Sequence, residues 1–319
     1  MNRITNLFTE IFLMEEKSFA RKVLCLIREI IRSRPHSFSE LIPILILKKD
    51  IITEYFSVDD IWSIFSKNKS ILLTLYENGF LNNEVIIRKS DISVAYFKYF
   101  FPEIQLIDYN FFMTKVHSYG IEQYIDNYSS SLEQFKQLRM EGHGASDVEI
   151  AIRKDDLISF QYLIEFYDMD INQTRIDDSG NFESDDFIVW TTPNFIEYAV
   201  FYGSIKIFKF LLLRGAVLTG RVSRFAFAGG NYEIIHILED NKVDFDRSCL
   251  KTALEYHHHE IVSYLHDTLD INFNNQSVRS CIETCNYISL DYIFETQRME
   301  IKKTNELEMK TKYGLIETI

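Results

Sequence analysis

The chain has 319 residues, of which 46% are hydrophobic and 25% are charged, as is typical of a globular protein with a large core. Its 11 Gly and 4 Pro argue against long flexible linkers, its apolar runs are too short to span a bilayer, and its four cysteines do not form a disulfide framework. The net charge is −13, and all of the excess acid lies after residue 140, so nucleic acid is a poor partner and a basic or apolar protein surface is a better one.

The first residues do not have the pattern of a secretory signal. Glu10 interrupts their apolar residues, and Glu15 and Glu16 follow. Together with the lack of a predicted membrane span, this pattern predicts a cytoplasmic protein, with the nucleus as the alternative compartment.

Residues 1–140 are predicted to form a helical N-terminal region. The segment KSFARKVLCLIREIIR (residues 17–32) has apolar residues at three- and four-residue spacing, which is typical of an amphipathic helix. Residues 57–80, SVDDIWSIFSKNKSILLTLYENGF, predict two short helices followed by a glycine. We expect this region to cap the repeats that follow it and to continue their core.

A repeat is evident after residue 140. Ala199, Ala226 and Ala253 recur every 27 residues, and Ala151 upstream and Cys281 downstream fit the same small-residue position. Three turn positions and three apolar positions follow the same interval: Gly203, Gly230 and His257, and Leu211, Leu238 and Leu265. This spacing predicts pairs of short helices, with a small residue where the two helices touch and a turn after it.

The segment AVFYGSIKIFKFLLLRGA (residues 199–216) resembles the ankyrin repeat, with the family's Ala, Gly, Ile, Leu-Leu and Gly-Ala in register. The resemblance implies an all-α, ankyrin-type solenoid of helical hairpins over residues 141–296, followed by a charged tail over 297–319. The repeats are about 6 residues shorter than the family's usual 33, so the fingers between them should be short or missing. Asn194 to Glu197 replace the family's T-P-L-H segment, and Asn194 is expected to cap a helix.

The phrases GHGASDVEIAIRKDDLISF and ALEYHHHEIVSYL are similar to a divergent ankyrin-containing family that is expanded in some protists. That family has a helical N-terminal region and no assigned biochemical activity. The resemblance therefore implies a fold and scarcely any function.

An insertion over residues 173–193 interrupts the repeat between its first two clear units. We interpret the insertion as a solvated loop whose apolar end packs against neighbouring helices. The alternative is a contact site, because long loops inside compact folds are often functional. The acidic and aromatic residues that we expect to contact a partner are Asp177, Asp178, Asp185, Asp186 and Trp190.

No metal, cofactor or catalytic site is predicted. His257 to His259 would point in different directions on a helix, and Cys281 occupies the small-residue position, where a buried thiol is natural. The chain has no Gly-rich phosphate loop, no H-E-x-x-H and no G-x-S-x-G.

The two residues before each turn of an ankyrin stack project into its concave groove, where partners commonly bind. In this chain these positions hold Arg153 and Lys154, Phe201 and Tyr202, Ala228 and Gly229, Glu255 and Tyr256, and Glu283 and Thr284. Phe201, Tyr202 and Tyr256 are rigid aromatic anchors of the kind that dominate interfaces. The alternative is that the N-terminal helices cover these residues.

These observations predict a protein-interaction module or adaptor that binds a partner protein through the groove and the acidic insertion. Two alternatives stay open. A structural spacer or self-assembling scaffold would associate with itself and have no discrete partner. An enzyme would have a deep polar pocket with strongly perturbed ionisable groups.

Overall fold

The computed structural model describes residues 17–33, 38–144, 146–176, 182–183 and 185–297, and these residues are mainly helical. Within them the strand pairing is limited to one isolated bridge between Arg175 and Asn194. The predicted all-α fold is therefore confirmed for the described part of the chain. Most of the predicted charged tail, residues 298–319, lies outside the described residues.

The chain forms two compact units that are not separated by a single cut in the sequence. Among the described residues, the first comprises 39–144, 146 and residues 182–183 and 185–192 of the insertion, and the second comprises 17–33, 38, 147–176 and 193–297. The predicted N-terminal region thus contributes to both units, because its helix α1 (Lys17–Ser33) groups with the repeats.

The first unit is built from short helices whose starts are capped by side chains. Ser57 and Asp60 form a capping box at the first helix of the predicted hairpin, and Asn68 caps the second helix. Gly79 follows with φ of 72°, the left-handed conformation that ends many helices. The helices of this unit are α2 (Phe38–Leu47), α3 (Lys49–Tyr55), α4 (Val58–Phe65), α5 (Lys69–Glu77), α6 (Asn83–Asp91), α7 (Val94–Ile107), α8 (Tyr109–Tyr119), α9 (Glu122–Ser129), α10 (Leu132–Glu141) and α13 (Asp186–Thr191).

The described residues of the second unit form five helical hairpins. We call the first helix of each hairpin inner and the second helix outer. Each inner helix contacts the inner helix of the neighbouring hairpin. Most outer helices contact the outer helix of a neighbouring hairpin. The hairpins are, in order, α11 (Asp147–Arg153) with α12 (Leu157–Phe166), α14 (Phe195–Phe201) with α15 (Ile205–Leu213), α16 (Val222–Gly229) with α17 (Tyr232–Asp240), α18 (Arg247–Glu255) with α19 (His259–Asp267), and α20 (Asn275–Glu283) with α21 (Tyr287–Gln297).

The predicted small-residue position is fully buried in every hairpin, and the residue four places later is left-handed. The buried residues are Ala151, Ala199, Ala226, Ala253 and Cys281. The left-handed residues are Asp155, Gly203, Gly230, His257 and Cys285, with φ between 50° and 72°. The predicted register is therefore correct, but the turn does not require glycine: three of the five hairpins hold another residue in this conformation.

Consecutive turns are joined by side-chain hydrogen bonds to backbone carbonyls. The donor follows the left-handed residue: Asn286 Nδ2 donates to Leu254 O at 2.8 Å, and His258 Nε2 lies 2.8 Å from Ala228 O. At the same position, Ser204 donates to Ile152 O and Asn231 donates to Gly203 O. Each turn is thereby fixed to the hairpin before it.

Glu197 also joins neighbouring hairpins, and it lies in the first turn of the inner helix of the second hairpin. Its buried carboxylate accepts a hydrogen bond from Asn194 N at 3.1 Å and forms ion pairs with Arg175 and Arg221, each at 3.4 Å. Arg221 immediately precedes the third hairpin, so a residue in the segment that replaces T-P-L-H joins two hairpins. Asn194 caps α14, as predicted.

Candidate functional site

Four of the predicted partner-binding residues form a continuous row at the C-terminal ends of the inner helices. The Arg153 guanidinium carbon lies 6.0 Å from the centre of the Tyr202 ring, and Tyr202 contacts Phe201 with centroids 5.0 Å apart. Phe201 in turn contacts Tyr256 edge to face at 5.9 Å. We call Arg153, Tyr202, Phe201 and Tyr256 the aromatic row; all four side chains are half-buried.

The row crosses the third hairpin because that hairpin has two small residues where the others have large ones. Ala228 is only 4% exposed. A Cβ atom at Gly229 would collide with the backbone carbonyl oxygens of Phe201 and Val200, so α16 lies very close to α14 at this point. The prediction that Ala228 and Gly229 face an open groove is therefore wrong: they are packing residues, and the rings of Phe201 and Tyr256 meet beside them.

Helix α1 covers the Tyr256 end of the row. Arg32 Nη2 donates a hydrogen bond to Glu255 O at 2.7 Å, and its guanidinium carbon lies 5.5 Å from the centre of the Tyr256 ring. Cations over aromatic faces are stabilised by the ring quadrupole. The alternative in which an N-terminal helix covers groove residues thus applies at this end of the row.

Charge and apolar burial both fix α1 in the second unit. Val23, Leu24 and Ile27 are buried, and so is Glu29. Burial raises the pKa of Glu29, but the Arg32 and Arg28 guanidinium groups outweigh that effect and hold this pKa below its usual value. Glu29 in turn accepts a hydrogen bond from Arg32 at 2.8 Å, which orients the side chain that contacts Tyr256.

The other predicted groove residues are not part of the row. Lys154 is exposed, next to Arg153 in sequence. Glu255 and Glu283 each form an ion pair within their own helix, with Lys251 at 3.4 Å and with Arg279 at 3.0 Å. These pairs are partly exposed and one turn apart, so they contribute little to stability.

Residues 182–183 and 185–192 of the insertion belong to the first unit, whereas its two ends, residues 173–176 and 193, belong with the aromatic row to the second. Asp185 caps α13 by accepting hydrogen bonds from Phe187 N and Ile188 N, and Asp186 is the first residue of that helix. Trp190 is 83% exposed. Asp177 and Asp178 lie outside the described residues.

Packing of the insertion depends on Phe182, which the sequence did not single out. Its ring contacts Tyr128 and Phe135 edge to face, at 5.5 Å and 5.3 Å. Phe182 and Ile188 are both buried. The insertion therefore has an apolar part packed on neighbouring helices, as a solvated loop with a packed end would have. It also has an exposed tryptophan, as a contact site would have.

The histidine run forms hydrogen bonds between hairpins. His257 Nε2 lies 3.0 Å from Thr284 O, and His259 Nδ1 lies 2.8 Å from Ser289 Oγ. Burial raises the pKa of Cys281 to about 12, which disfavours the thiolate that zinc binds. Across the described ranges, no group of three or more His, Cys, Asp and Glu side chains could hold a metal ion.

These contacts lead to a prediction about metal removal. Treatment of native protein with excess chelator is expected to leave the melting temperature unchanged, because the histidines bond to backbone and hydroxyl groups of the next hairpin. Differential scanning calorimetry before and after chelation, with metal analysis of the same sample, checks this. Stoichiometric zinc together with a lower melting temperature after chelation would contradict it.

None of the described helices combines the length and the apolar character needed to cross a membrane.

The match found in comparisons with known proteins lies in the second unit. Neither a curated protein nor a solved structure matches the chain. Residues 216–296, which include the third and fourth hairpins and nearly all of the fifth, match a family described as a domain of unknown function (DUF3447).

Proposed function

We propose that the chain is an adaptor of the cytoplasm or nucleus whose five hairpins are ankyrin-type repeats that bind a partner protein. Support for ankyrin-type repeats comes from the segment at residues 199–216 and from the spacing of four residues between each buried small residue and its left-handed turn. Repeats of this kind present side chains from several hairpins on one surface.

The aromatic row is the observation that supports this function most directly. Rigid rings with partly exposed faces provide contact area at a small cost in conformational entropy, and Tyr and Arg are enriched among residues that dominate binding energy. Arg153, Tyr202, Phe201 and Tyr256 combine these residue types across three hairpins.

The contact made by Arg32 indicates which partner chemistry the row accepts. A guanidinium packs on Tyr256 and donates to the carbonyl of Glu255, near the end of α18. A partner that extends along the row would meet the half-buried rings of Phe201 and Tyr202, beside the Arg153 guanidinium. We therefore propose a partner segment with an arginine and neighbouring apolar residues. The acidic insertion is a second, separate proposed contact, for a basic partner surface.

Truncation of the row is the test. In the variant with Phe201→Ala and Tyr256→Ala, binding of any partner recovered with the wild-type chain is expected to weaken by about 2 kcal/mol or more, because two anchors are removed. The affinity of the purified partner for both chains, measured by isothermal titration calorimetry, gives the difference. Tyr202→Ala, at the Arg153 end of the row, should weaken binding in the same direction.

Stability has to be measured on the same variants. Phe201 and Tyr256 contact each other, so their truncation is expected to cost about 1–2 kcal/mol of unfolding free energy while the chain stays folded. Tyr232→Ala with Tyr264→Ala is the control, because it removes two rings from outer helices. Normal binding by a folded double variant would reject the row as the contact surface, and self-association without any partner would favour a scaffold.

A further inference from the structure

The outer helix of the first hairpin, α12, has a row of exposed apolar side chains. Ile158, Tyr162 and Phe166 are 81%, 63% and 65% exposed. They are four residues apart, so they lie on one face of the helix and extend for about 12 Å along it. The rings of Tyr162 and Phe166 stack with centroids 5.6 Å apart, and Phe166 also contacts the exposed ring of Tyr167.

The other hairpins show that the fold does not require apolar residues at the two ends of this row, although the position of Tyr162 holds Phe210, Ile237 and Tyr264 in the three middle hairpins. The positions equivalent to Ile158 and Phe166 hold charged or polar residues in the three middle hairpins: Lys206 and Arg214, Glu233 and Asn241, and Glu260 and Thr268. A large exposed apolar surface reduces solubility without a packing benefit, and such surfaces commonly mark interaction sites. The apolar row of α12 therefore needs an occupant.

The surroundings of this row are acidic. Residues 154–170 contain five acidic residues and a single basic one, Lys154. Asp156 precedes α12, Glu165 lies within its last turn, and Asp168 and Asp170 follow it, all of them exposed. Glu165 forms an ion pair with Arg214 of the second hairpin at 3.2 Å, so the uncompensated negative charge comes from the aspartates. Hydrogen bonds from Ser159 hold the pKa of Asp156 below its usual value, so this carboxylate stays ionised.

We propose that Ile158, Tyr162, Phe166 and Tyr167 form a docking surface for a basic amphipathic helix of a partner protein. The apolar face of such a helix would cover the exposed row, and its Lys or Arg residues would lie among the acidic residues at both ends of α12. A second copy of this chain is disfavoured, because its net charge of −13 would repel the same acidic surroundings. The proposal is independent of the aromatic row, which lies on inner helices.

The test uses the full chain and two designed peptides of about 18 residues, five helical turns. Both peptides have the same leucine face, and the rest of the surface is lysine in one and glutamate in the other. We expect the lysine peptide to bind with a dissociation constant on the order of 10 μM, more weakly at high salt, and the glutamate peptide to bind at least tenfold more weakly. Fluorescence anisotropy of labelled peptide measures both.

The key variant copies the second hairpin. Ile158→Lys with Phe166→Arg introduces the residues found at Lys206 and Arg214, so the fold tolerates them, and binding of the lysine peptide should weaken more than tenfold with little change in the urea midpoint. Ile288→Lys is the matched control, because it removes an exposed isoleucine from the equivalent position of the fifth hairpin. This control should bind the lysine peptide normally.

Four outcomes would overturn the proposal. Equal binding of the two peptides would show that charge plays no part, and absence of binding by the lysine peptide would show that the surface does not accept a basic helix. Unchanged binding by the double variant would place the contact elsewhere. A concentration-dependent dimer in sedimentation experiments, abolished by the same variant, would identify a second copy as the occupant.

Discussion

Gly229→Ala is expected to lower the free energy of unfolding by about 3 kcal/mol, at the upper end of the usual cost of overpacking. The new methyl group would meet the carbonyl oxygens of Phe201 and Val200. These are backbone atoms of α14, so the collision cannot be relieved by a side-chain rotation, and α16 must move away from α14. Urea denaturation followed by far-UV circular dichroism measures the loss.

Gly220→Ala is the matched control for this substitution. A Cβ atom at Gly220 would have no neighbour within 4 Å, and its backbone is not left-handed. The control is therefore expected to change the unfolding free energy by less than about 0.5 kcal/mol. Similar midpoints for the two variants would mean that α14 and α16 are not in close contact at Gly229.

Glu103→Ala is expected to cost about 3 to 4 kcal/mol, because it leaves a buried guanidinium without its counter-ion. Arg139 is fully buried in the first unit, and its two terminal nitrogens donate to the two carboxylate oxygens of Glu103 at 2.7 Å and 2.9 Å. Arg139 also contacts the carbonyl and the ring of Tyr99 and the ring of Phe135, but none of these groups carries a charge that could neutralise it. Chemical denaturation at neutral pH measures the loss.

An exposed ion pair provides the comparison. Glu233 pairs with Lys209 at 2.6 Å, and both side chains are more than half exposed. Glu233→Ala should therefore change stability by at most about 0.5 kcal/mol. If the two glutamate variants lost similar free energy, the Arg139 site would be far more hydrated than its burial indicates.

The repeat register was predictable because it depends on local spacing. Ala199, Ala226 and Ala253 mark the contact between two helices of one hairpin, and each hairpin is contained within one repeat of the sequence. Even Cys281 was assigned correctly to this position, since a buried thiol and a buried methyl group have similar packing requirements. Hydrophobic periodicity reports this kind of contact directly.

Contacts between segments that are distant in the sequence produce no periodic pattern of residues from which they could be predicted. Arg32 and Glu255 are 223 residues apart, and the sequence around Arg32 indicates only an amphipathic helix. The packing of Ala228 and Gly229 against α14 is not predictable from the sequence for a related reason, because two small residues at groove positions resemble an open stretch of a binding surface. They are instead the place where two inner helices approach most closely, which only the helix-to-helix distance reveals.

The sequence predicts which residues share the surface of the aromatic row, but not which of their rings touch. Phe201 and Tyr202 are adjacent in sequence, and Tyr256 was assigned to the same surface from the repeat alone. Direct contact between Phe201 and Tyr256 across a whole hairpin depends on the absence of large side chains between them. An alignment of the repeats shows which residues occupy equivalent positions. It does not show whether the side chains between two such residues leave room for them to touch.

The hydrogen bonds from Ser204, Asn231, His258 and Asn286 also govern how the second unit would come apart under tension. Each bond joins a turn to the turn before it, so an end hairpin is held by one such bond and a middle hairpin by two. A pulled chain would therefore release hairpins from an end, one after another. Since the hairpins after the insertion recur every 27 or 28 residues, the release of each of these hairpins would lengthen the extended chain by roughly 90 Å, a step that an optical trap can resolve.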